Sequence, residues 1–209
     1  MYLCVDTTTS ESGVTLVDGR SAIHLPLDLN HASEKLLETI DSAIKKSGKK
    51  LSDIEGIFVI KGPGSFTGLR IGIAVANQFA HQLKVPITGL KTDEWWSHRT
   101  DEKGFVYLQT MNKAEIYAVP FGKTKNKIAT LCHPEELEGS AKWLGELSDE
   151  HQKKLPAGFK EVSDILSTEE TWKRTVQSNY KLQSTIYNLI EPYYGKEPTI
   201  TKSKKKLSI

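Results

Sequence analysis

The sequence predicts an α/β protein of two lobes, the second of them reduced. Three strand-like segments open the chain, and helical and strand patterns then alternate up to Leu90. A second group of three strand-like segments begins near Lys103. The 209 residues are enough for two such units, and a hydrophobic fraction of 38% is ordinary for a globular protein.

The first lobe is predicted over residues 1–102 in the order β-β-β-α-β-α-β. Asp18-Gly19 is a hairpin signal between the second and third strands. Helical spacing of apolar residues predicts helices over 31–47 and 71–83. Antiparallel opening strands followed by right-handed crossovers form the ribonuclease H-like unit, which occurs twice in the actin-like ATPase (ASKHA) fold. The sequence therefore predicts that fold.

The second lobe is predicted over residues 103–200 as a degenerate repeat of the first. Its three opening strands are followed by predicted helices over 141–147 and 182–190. Residues 201–209 contain four lysines and are predicted to form a basic, disordered tail. Because such a tail also attracts polyanions, an RNA-binding module is one alternative function.

Composition argues against several functional classes. Met1 is followed by no basic segment and no long apolar core, so we expect a cytoplasmic protein with no membrane contact. Cys4 and Cys132 do not form a Cys-x-x-Cys pair, and no two of the six histidines are three or four residues apart. No metal site is therefore predicted.

A glycine-rich segment joins a predicted buried strand to the second helix. Its residues are Gly62, Pro63, Gly64, Ser65, Phe66, Thr67, Gly68 and Arg70. One interpretation is an anion site at a helix N-terminus, and the other is a tight corner capped by Ser65 or Thr67. The spacing matches neither a Walker A loop nor Gly-x-Gly-x-x-Gly, which favours the corner.

Asp6, Thr7 and Thr8 are the only candidates for cofactor binding. An aspartate at a strand end, followed by hydroxyls, can hold Mg²⁺-bound phosphate, but the same residues also form simple Asx turns. The matching turn of the second lobe, from Gln109 to Lys113, has no carboxylate, and no Gly-Gly pair follows it. These absences argue against a working ATPase, and no catalytic residue is predicted.

The second predicted helix is apolar on nearly all sides. A helix that packs on one sheet needs only one apolar stripe. The excess predicts that a second face is buried, either within the monomer or against another chain.

The chain resembles the TsaB (YeaZ) family. The resemblance rests on segments in the family's order and spacing, namely 6–8, 31–37, 62–72, 86–90 and 114–117. It implies a non-catalytic subunit that pairs with TsaD, works with TsaE, and supports threonylcarbamoylation of adenosine 37 in tRNAs that read codons beginning with A. ATP and Mg²⁺ then belong to the partner subunits, and a homodimer is implied when TsaD is absent.

The resemblance also implies an interface made by the two helices of the first lobe. The residues that map onto it are Leu36, Leu37, Ile40, Ile44, Ile71, Val75 and Phe79. TsaD enzymes carry a His-x-x-x-His motif after the strand at 87–90, where this chain has Lys91-Thr92-Asp93 instead. This difference favours TsaB over TsaD. The alternative enzyme function is a small-molecule kinase or ATPase that uses Asp6 and Mg-ATP.

Overall fold

The computed structural model describes residues 1–122, 129–178 and 189–195. Within them the chain forms two five-stranded sheets that face each other across a shared core. The predicted α/β, two-lobed fold is confirmed.

The first sheet has the order β3-β2-β1-β4-β5. Its strands are β1 (Tyr2–Asp6), β2 (Gly13–Asp18), β3 (Ser21–Pro26), β4 (Gly56–Gly62) and β5 (Ile87–Lys91). The first three strands pair antiparallel, and β4 and β5 extend the sheet in parallel with β1. The helices that follow these strands are α1 (Ala32–Ser47), α2 (Phe66–Leu83) and α3 (Thr92–Ser97).

The second sheet repeats this topology. Its strands are β6 (Phe105–Thr110), β7 (Ile116–Phe121), β8 (Thr130–Cys132), β9 (Ala141–Glu146) and β10 (Phe159–Glu161). The order β8-β7-β6-β9-β10 corresponds strand for strand to that of the first sheet, with the same antiparallel and parallel pairings. The described residues that follow β9 include the helices α4 (Asp149–Lys154) and α5 (Thr168–Gln177).

The helix predicted over 141–147 is wrong, because residues 141–146 form strand β9, which lies between β6 and β10 in the second sheet. Trp143 packs on the outer face of the second sheet and Leu144 packs on the face toward the first sheet. A strand that is covered on both faces does not alternate between apolar and polar residues as a half-exposed strand does. The adjacent apolar residues Trp143 and Leu144 therefore fitted a helical pattern equally well. The helix predicted over 182–190 falls almost wholly outside the described residues, as does the tail at 201–209.

Three apolar clusters hold the layers together. One lies under α1 and α2 on the outer face of the first sheet, and a small one covers the outer face of the second sheet. The third lies between the sheets and contains Trp95, Trp96 and Trp172, which are at most 5% exposed. These three indole rings therefore serve to pack the two sheets together.

The C-terminal described residues return to the first sheet. Helix α5 packs on β2 and β3. The backbone N–H of Tyr193 donates to the Lys61 carbonyl at 2.7 Å, and the Asn77 side chain bonds both backbone groups of Ile190 at 2.9 Å. By sequence position these C-terminal residues fall in the predicted second lobe, although they contact the first sheet. The predicted domain boundaries at residues 102, 103 and 200 stay predictions. No helix among the described residues has the length and apolarity that a membrane crossing requires.

Candidate functional site

The turn after β1 is closed by its own aspartate. Asp6 is 1% exposed, and its Oδ1 accepts from the Thr8 backbone N–H at 2.8 Å, the Thr8 hydroxyl at 3.1 Å and the Thr9 backbone N–H at 3.2 Å. Oδ2 accepts from the Thr9 hydroxyl. Burial raises the pKa of Asp6, while these hydrogen bonds act to lower it. Both oxygens are thus committed to an Asx turn.

The glycine-rich segment is mostly helix. Strand β4 ends at Gly62 and α2 begins at Phe66, five residues before the predicted start at Ile71. Ser65 caps the helix, since its Oγ accepts from the Gly68 N–H at 3.3 Å. The corner interpretation of this segment agrees with that cap.

Three glycines of this segment lie against the Asp6 turn. Gly68 and Gly72 are four residues apart on α2 and therefore share one face of the helix, and Gly64 lies just before the Ser65 cap. A Cβ at Gly64 would lie 2.8 Å from the Thr8 Cβ, and one at Gly68 or Gly72 would overlap Thr7. The Thr7 hydroxyl also donates to the Gly68 carbonyl at 2.7 Å. No phosphate fits between two backbones in such close contact.

Mg-ATP, which the fold class implies, does not fit these residues. The carboxylate that would position the metal is buried in its own turn, and the glycines that would leave room for phosphates are filled by Thr7 and Thr8. In the second lobe, Asn112 Oδ1 closes the corresponding turn by accepting from the Ala114 and Glu115 N–H groups. Across the described ranges, no three His, Cys, Asp or Glu side chains form a group that could hold a metal.

A cleft of about 960 Å³ opens where the strands of the two sheets end. Its walls come from both lobes, with Ser10, Ser65 and Phe66 on one side and Gln109, Met111 and Glu146 on the other; Tyr194 also lines it.

A hydrogen-bonded contact between Ser10 and Glu146 joins the lobes across the cleft. Glu146 Oε1 accepts from both the backbone N–H and the hydroxyl of Ser10, each at 2.6 Å. Burial raises the pKa of Glu146 to about 7, and the negative charges of Asp6 and Glu11 act in the same direction. The carboxyl group therefore titrates near neutral pH.

An aromatic pair forms the rim of the cleft. The rings of Phe66 and Tyr194 stack with centroids 4.7 Å apart, and the Arg70 guanidinium lies 4.1 Å from the Phe66 centroid. Arg70 Nε also donates to the Tyr194 hydroxyl at 3.3 Å. Phe66 nevertheless stays 53% exposed.

The sequence prediction did not identify Ser10, Gln109 or Glu146 as site residues. Glu146 was missed because its strand was predicted as a helix. Gln109 stood at the predicted strand end, which was the available signal, but a single glutamine there indicates no particular chemistry. Ser10 became relevant only through its distant contact with Glu146.

The predicted interface residues divide into three groups by their exposure. Leu36 and Ile40 are 1% and 2% exposed and lie in the core under α1, so the proposed surface cannot include them. Leu37 is 58% exposed. The remaining residues, half-buried at the edge of the same core, are Ile44, Ile71, Val75 and Phe79. An interface at these five positions stays a proposal.

Comparison with known proteins places the chain in a family. The model of TsaD, described as tRNA N6-adenosine threonylcarbamoyltransferase, matches residues 28–144, more than half of the chain. The chain belongs to the TsaD family. Within this likeness, the curated relatives include proteins named TsaB, which confirms the resemblance seen in the sequence.

The similarity to TsaB proteins covers part of each chain. The Escherichia coli protein, named a tRNA threonylcarbamoyladenosine biosynthesis protein, is 35% identical over 91 residues, 43% of this chain and 39% of that protein. The Bacillus subtilis protein of the same name is 32% identical over 95 residues, 44% and 41% of the two chains. The chain thus spans about two fifths of the length of these relatives.

A solved structure shares the fold of this chain. It is described as an uncharacterized Pseudomonas aeruginosa protein with similarity to the peptidase YEAZ. It superposes with a TM-score of 0.76 and 18% identity, covering 93% of this chain and 99% of that one. At this identity the match shows the fold alone.

Proposed function

We propose that the chain is a non-catalytic subunit that binds a TsaD-type enzyme and supports threonylcarbamoylation of adenosine 37 in tRNA. The observation that carries this proposal is the sealed Asp6 turn, since the position that should hold Mg-phosphate in this fold is filled by Thr7, Thr8 and the glycines of α2. A chain with this turn keeps the architecture of the enzyme without its nucleotide chemistry.

The TsaB relatives are named tRNA threonylcarbamoyladenosine biosynthesis proteins, which supports a role for this chain in that biosynthesis. The partner surface is proposed on α1 and α2, which pack side by side on the first sheet. Leu37 presents an exposed leucine on α1, and Ile71 and Val75 are half-buried on α2. An exposed apolar residue beside half-buried ones is typical of a protein interface. Work with TsaE, a homodimer of the isolated chain and the cytoplasmic location stay predictions.

The surface is tested with Leu37→Glu. Co-elution with the TsaD-type protein of the same organism should be lost, because a charge would have to be buried at the interface. Ser42→Glu is the matched control, since Ser42 is exposed on another side of α1 and the charge change is the same. Retained co-elution of a folded Leu37→Glu variant contradicts the surface, and loss with Ser42→Glu shows that added charge alone explains the result.

The non-catalytic role is tested by reconstitution. The chain alone should neither hydrolyse ATP nor modify tRNA, and modification should require the TsaD-type protein, TsaE and threonylcarbamoyl-adenylate. Modified adenosine is measured by mass spectrometry of digested tRNA. Formation of the product by this chain alone would overturn the proposal.

A further inference from the structure

The turn between β1 and β2 holds two other parts of the molecule through adjacent residues. Ser10 donates its backbone N–H and its hydroxyl to Glu146 at the end of β9, each at 2.6 Å. Glu11 forms an ion pair with Arg99 at 3.2 Å and accepts from the Thr168 hydroxyl at the start of α5. This short turn therefore joins the first sheet both to the second sheet and to α5.

The turn is also held by hydrogen bonds within it. The Thr9 N–H donates to Asp6 at 3.2 Å. The Thr9 hydroxyl accepts from the Glu11 N–H, and the Thr9 carbonyl accepts from the Ser12 N–H, both at 3.1 Å. Because these bonds fix the backbone on both sides of Ser10, its contact with the second sheet can break without unfolding the turn.

The contact at Glu11 is stabilised by the burial of its partner. Arg99 is 4% exposed, its guanidinium lies 4.5 Å from the Trp96 ring centroid, and it donates to the Leu166 carbonyl at 3.1 and 3.3 Å. Loss of Glu11 would leave this buried cation without its counter-ion, which is costly. Burial acts to raise the pKa of Glu11, but the Thr168 hydroxyl and Arg99 hold it below its ordinary value. Glu11 therefore stays ionised and paired at neutral pH.

The contact at Glu146 differs in two respects. Both bonds from Ser10 reach Oε1, so Oε2 can carry a proton without loss of either bond. Ser10 is exposed, so water can satisfy its two donors when the carboxyl group withdraws. In the described part of the chain, no cation forms an ion pair with Glu146. The protonated form is thus compatible with the contact, and the ionised form has no counter-ion there.

The surrounding acidic groups oppose ionisation of Glu146. Burial is the main cause of its raised pKa of about 7, and the charges of Asp6 and Glu11 act in the same direction. The titratable residues of α3, which contacts β9, are also acidic, namely Asp93 and Glu94. Ionisation therefore adds a negative charge to a region that is already negative.

The other titratable groups nearby do not offset this charge. Tyr107, on the neighbouring strand β6, is buried, and burial raises its pKa well above the ordinary value, so it stays neutral. Arg70 lines the same cleft but is engaged with the aromatic pair of the rim. His151, on α4, is hydrogen-bonded through Nδ1 to the Thr110 hydroxyl at 3.0 Å. An ionised Glu146 is therefore stabilised by separating from the turn and entering water.

We propose that Ser10 and Glu146 form a pH-dependent clasp between the two sheets, which is held while Glu146 is protonated and released as its carboxyl group ionises. The Glu11–Arg99 ion pair is the second, fixed point, and it keeps the turn on α5 when the end of β9 separates. The clasp is distinct from the partner surface on α1 and α2.

Amide hydrogen exchange, followed by NMR on the full chain, tests the clasp. The protection factor of the Ser10 N–H is its intrinsic exchange rate divided by the measured rate at the same pH, and it reports how often the contact opens. Because the closed state holds the Glu146 proton more tightly than water-exposed carboxyl groups do, protection should fall about tenfold from pH 6 to pH 8.

The Ser12 N–H is the internal control, because its bond to the Thr9 carbonyl lies within the same turn. Its protection factor should be the same at both pH values. A Ser10 protection factor that does not change with pH would overturn the proposal. An equal loss of protection at Ser12 would overturn it too, since the whole turn would then be unfolding.

Substitution assigns the pH dependence to one carboxyl group. Glu146→Gln keeps the acceptor Oε1 but cannot ionise, so Ser10 protection should become equal at pH 6 and pH 8. Glu150→Gln is the matched control, because Glu150 is an exposed carboxylate on α4 that pairs with Lys154, and it should keep the tenfold change. Persistence of the change in Glu146→Gln, or its loss in Glu150→Gln, contradicts the clasp. The measurement needs no TsaD-type protein, so its outcome is independent of the proposed function.

Discussion

The two sheets share one strand order but differ in what covers their outer faces. The first sheet carries α1 and α2, of 16 and 18 residues, over a large apolar cluster. Among the described residues, the helical cover of the outer face of the second sheet consists of the six-residue α4 and the 3-10 turn at Pro134–Glu136. Identical topology therefore does not give identical lobes, because the length of the crossover segments decides how much apolar surface each lobe buries and presents.

The lobes also differ at the strand ends. In the first lobe, Asp6 and the glycines of α2 satisfy and seal the turn. In the second lobe, Gln109 and Glu146 line the cleft, and Gln109 Oε1 is buried without a hydrogen-bond partner among the described residues. The turn after β1 in the first lobe is therefore closed by its own residues, whereas the ends of β6 and β9 in the second lobe border the cleft.

The strongest test of this contrast is Gly68→Val in the sealed turn. The side chain would overlap the Thr7 carbonyl, so we expect the free energy of unfolding to fall by about 4 kcal/mol or more. Urea denaturation measures the change. Ala74→Val, at an exposed position of the same helix, should cost less than about 1 kcal/mol. Equal effects would show that the close contact with Thr7 does not matter.

Because the helices over the first sheet bury more apolar surface, truncating a leucine under them should lower the free energy of unfolding more than truncating one beside the second sheet. Leu36→Ala, under α1, should lower the free energy of unfolding by about 3 kcal/mol, because it leaves a cavity in a fully buried cluster. Leu155→Ala, half-buried beside the outer cluster of the second sheet, should cost about 1 kcal/mol. Thermal and urea unfolding compare the two. A larger loss for Leu155→Ala would reverse the comparison.

Glu146 predicts a pH dependence at the junction of the lobes. Its pKa of about 7 in the folded chain exceeds the ordinary 4.5, so the folded state holds the proton more tightly than the unfolded state. The free energy of unfolding should therefore fall as pH rises from about 4.5 to 7. Glu146→Gln should be more stable than the unmodified chain by about 2 kcal/mol at pH 8, and the difference should shrink toward pH 5. A constant difference across this range contradicts the shifted pKa.

The smallest change in the free energy of unfolding is expected for Leu37→Glu, and it distinguishes the exposed Leu37 from the buried Leu36. Leu37→Glu should change the free energy of unfolding by less than about 0.5 kcal/mol, because the side chain is 58% exposed. Its loss of co-elution with a TsaD-type protein would then reflect the surface and not the fold. A large loss of stability would instead place Leu37 with Leu36 in the core.

Much of the fold could be predicted because local patterns agreed with the final packing. The strands of the first lobe, α1 and most of α2 follow from periodicity and turn residues, and Ser65 is one of the two capping residues that the sequence predicted. Strand β9 could not be predicted in this way, since Trp143 and Leu144 are buried on opposite faces and show no strand-like alternation. The error over β9 also concealed Glu146.

The sequence by itself determined the repeated α/β architecture and the resemblance to TsaB, because both depend on the order of local segments. Tertiary structure decided which residues of those segments were available. It placed Leu36 in the core and Leu37 on the surface, packed three glycines against Thr7 and Thr8, and brought Ser10 to Glu146 across 136 residues of chain. Such outcomes depend on contacts between distant segments, which local patterns do not encode.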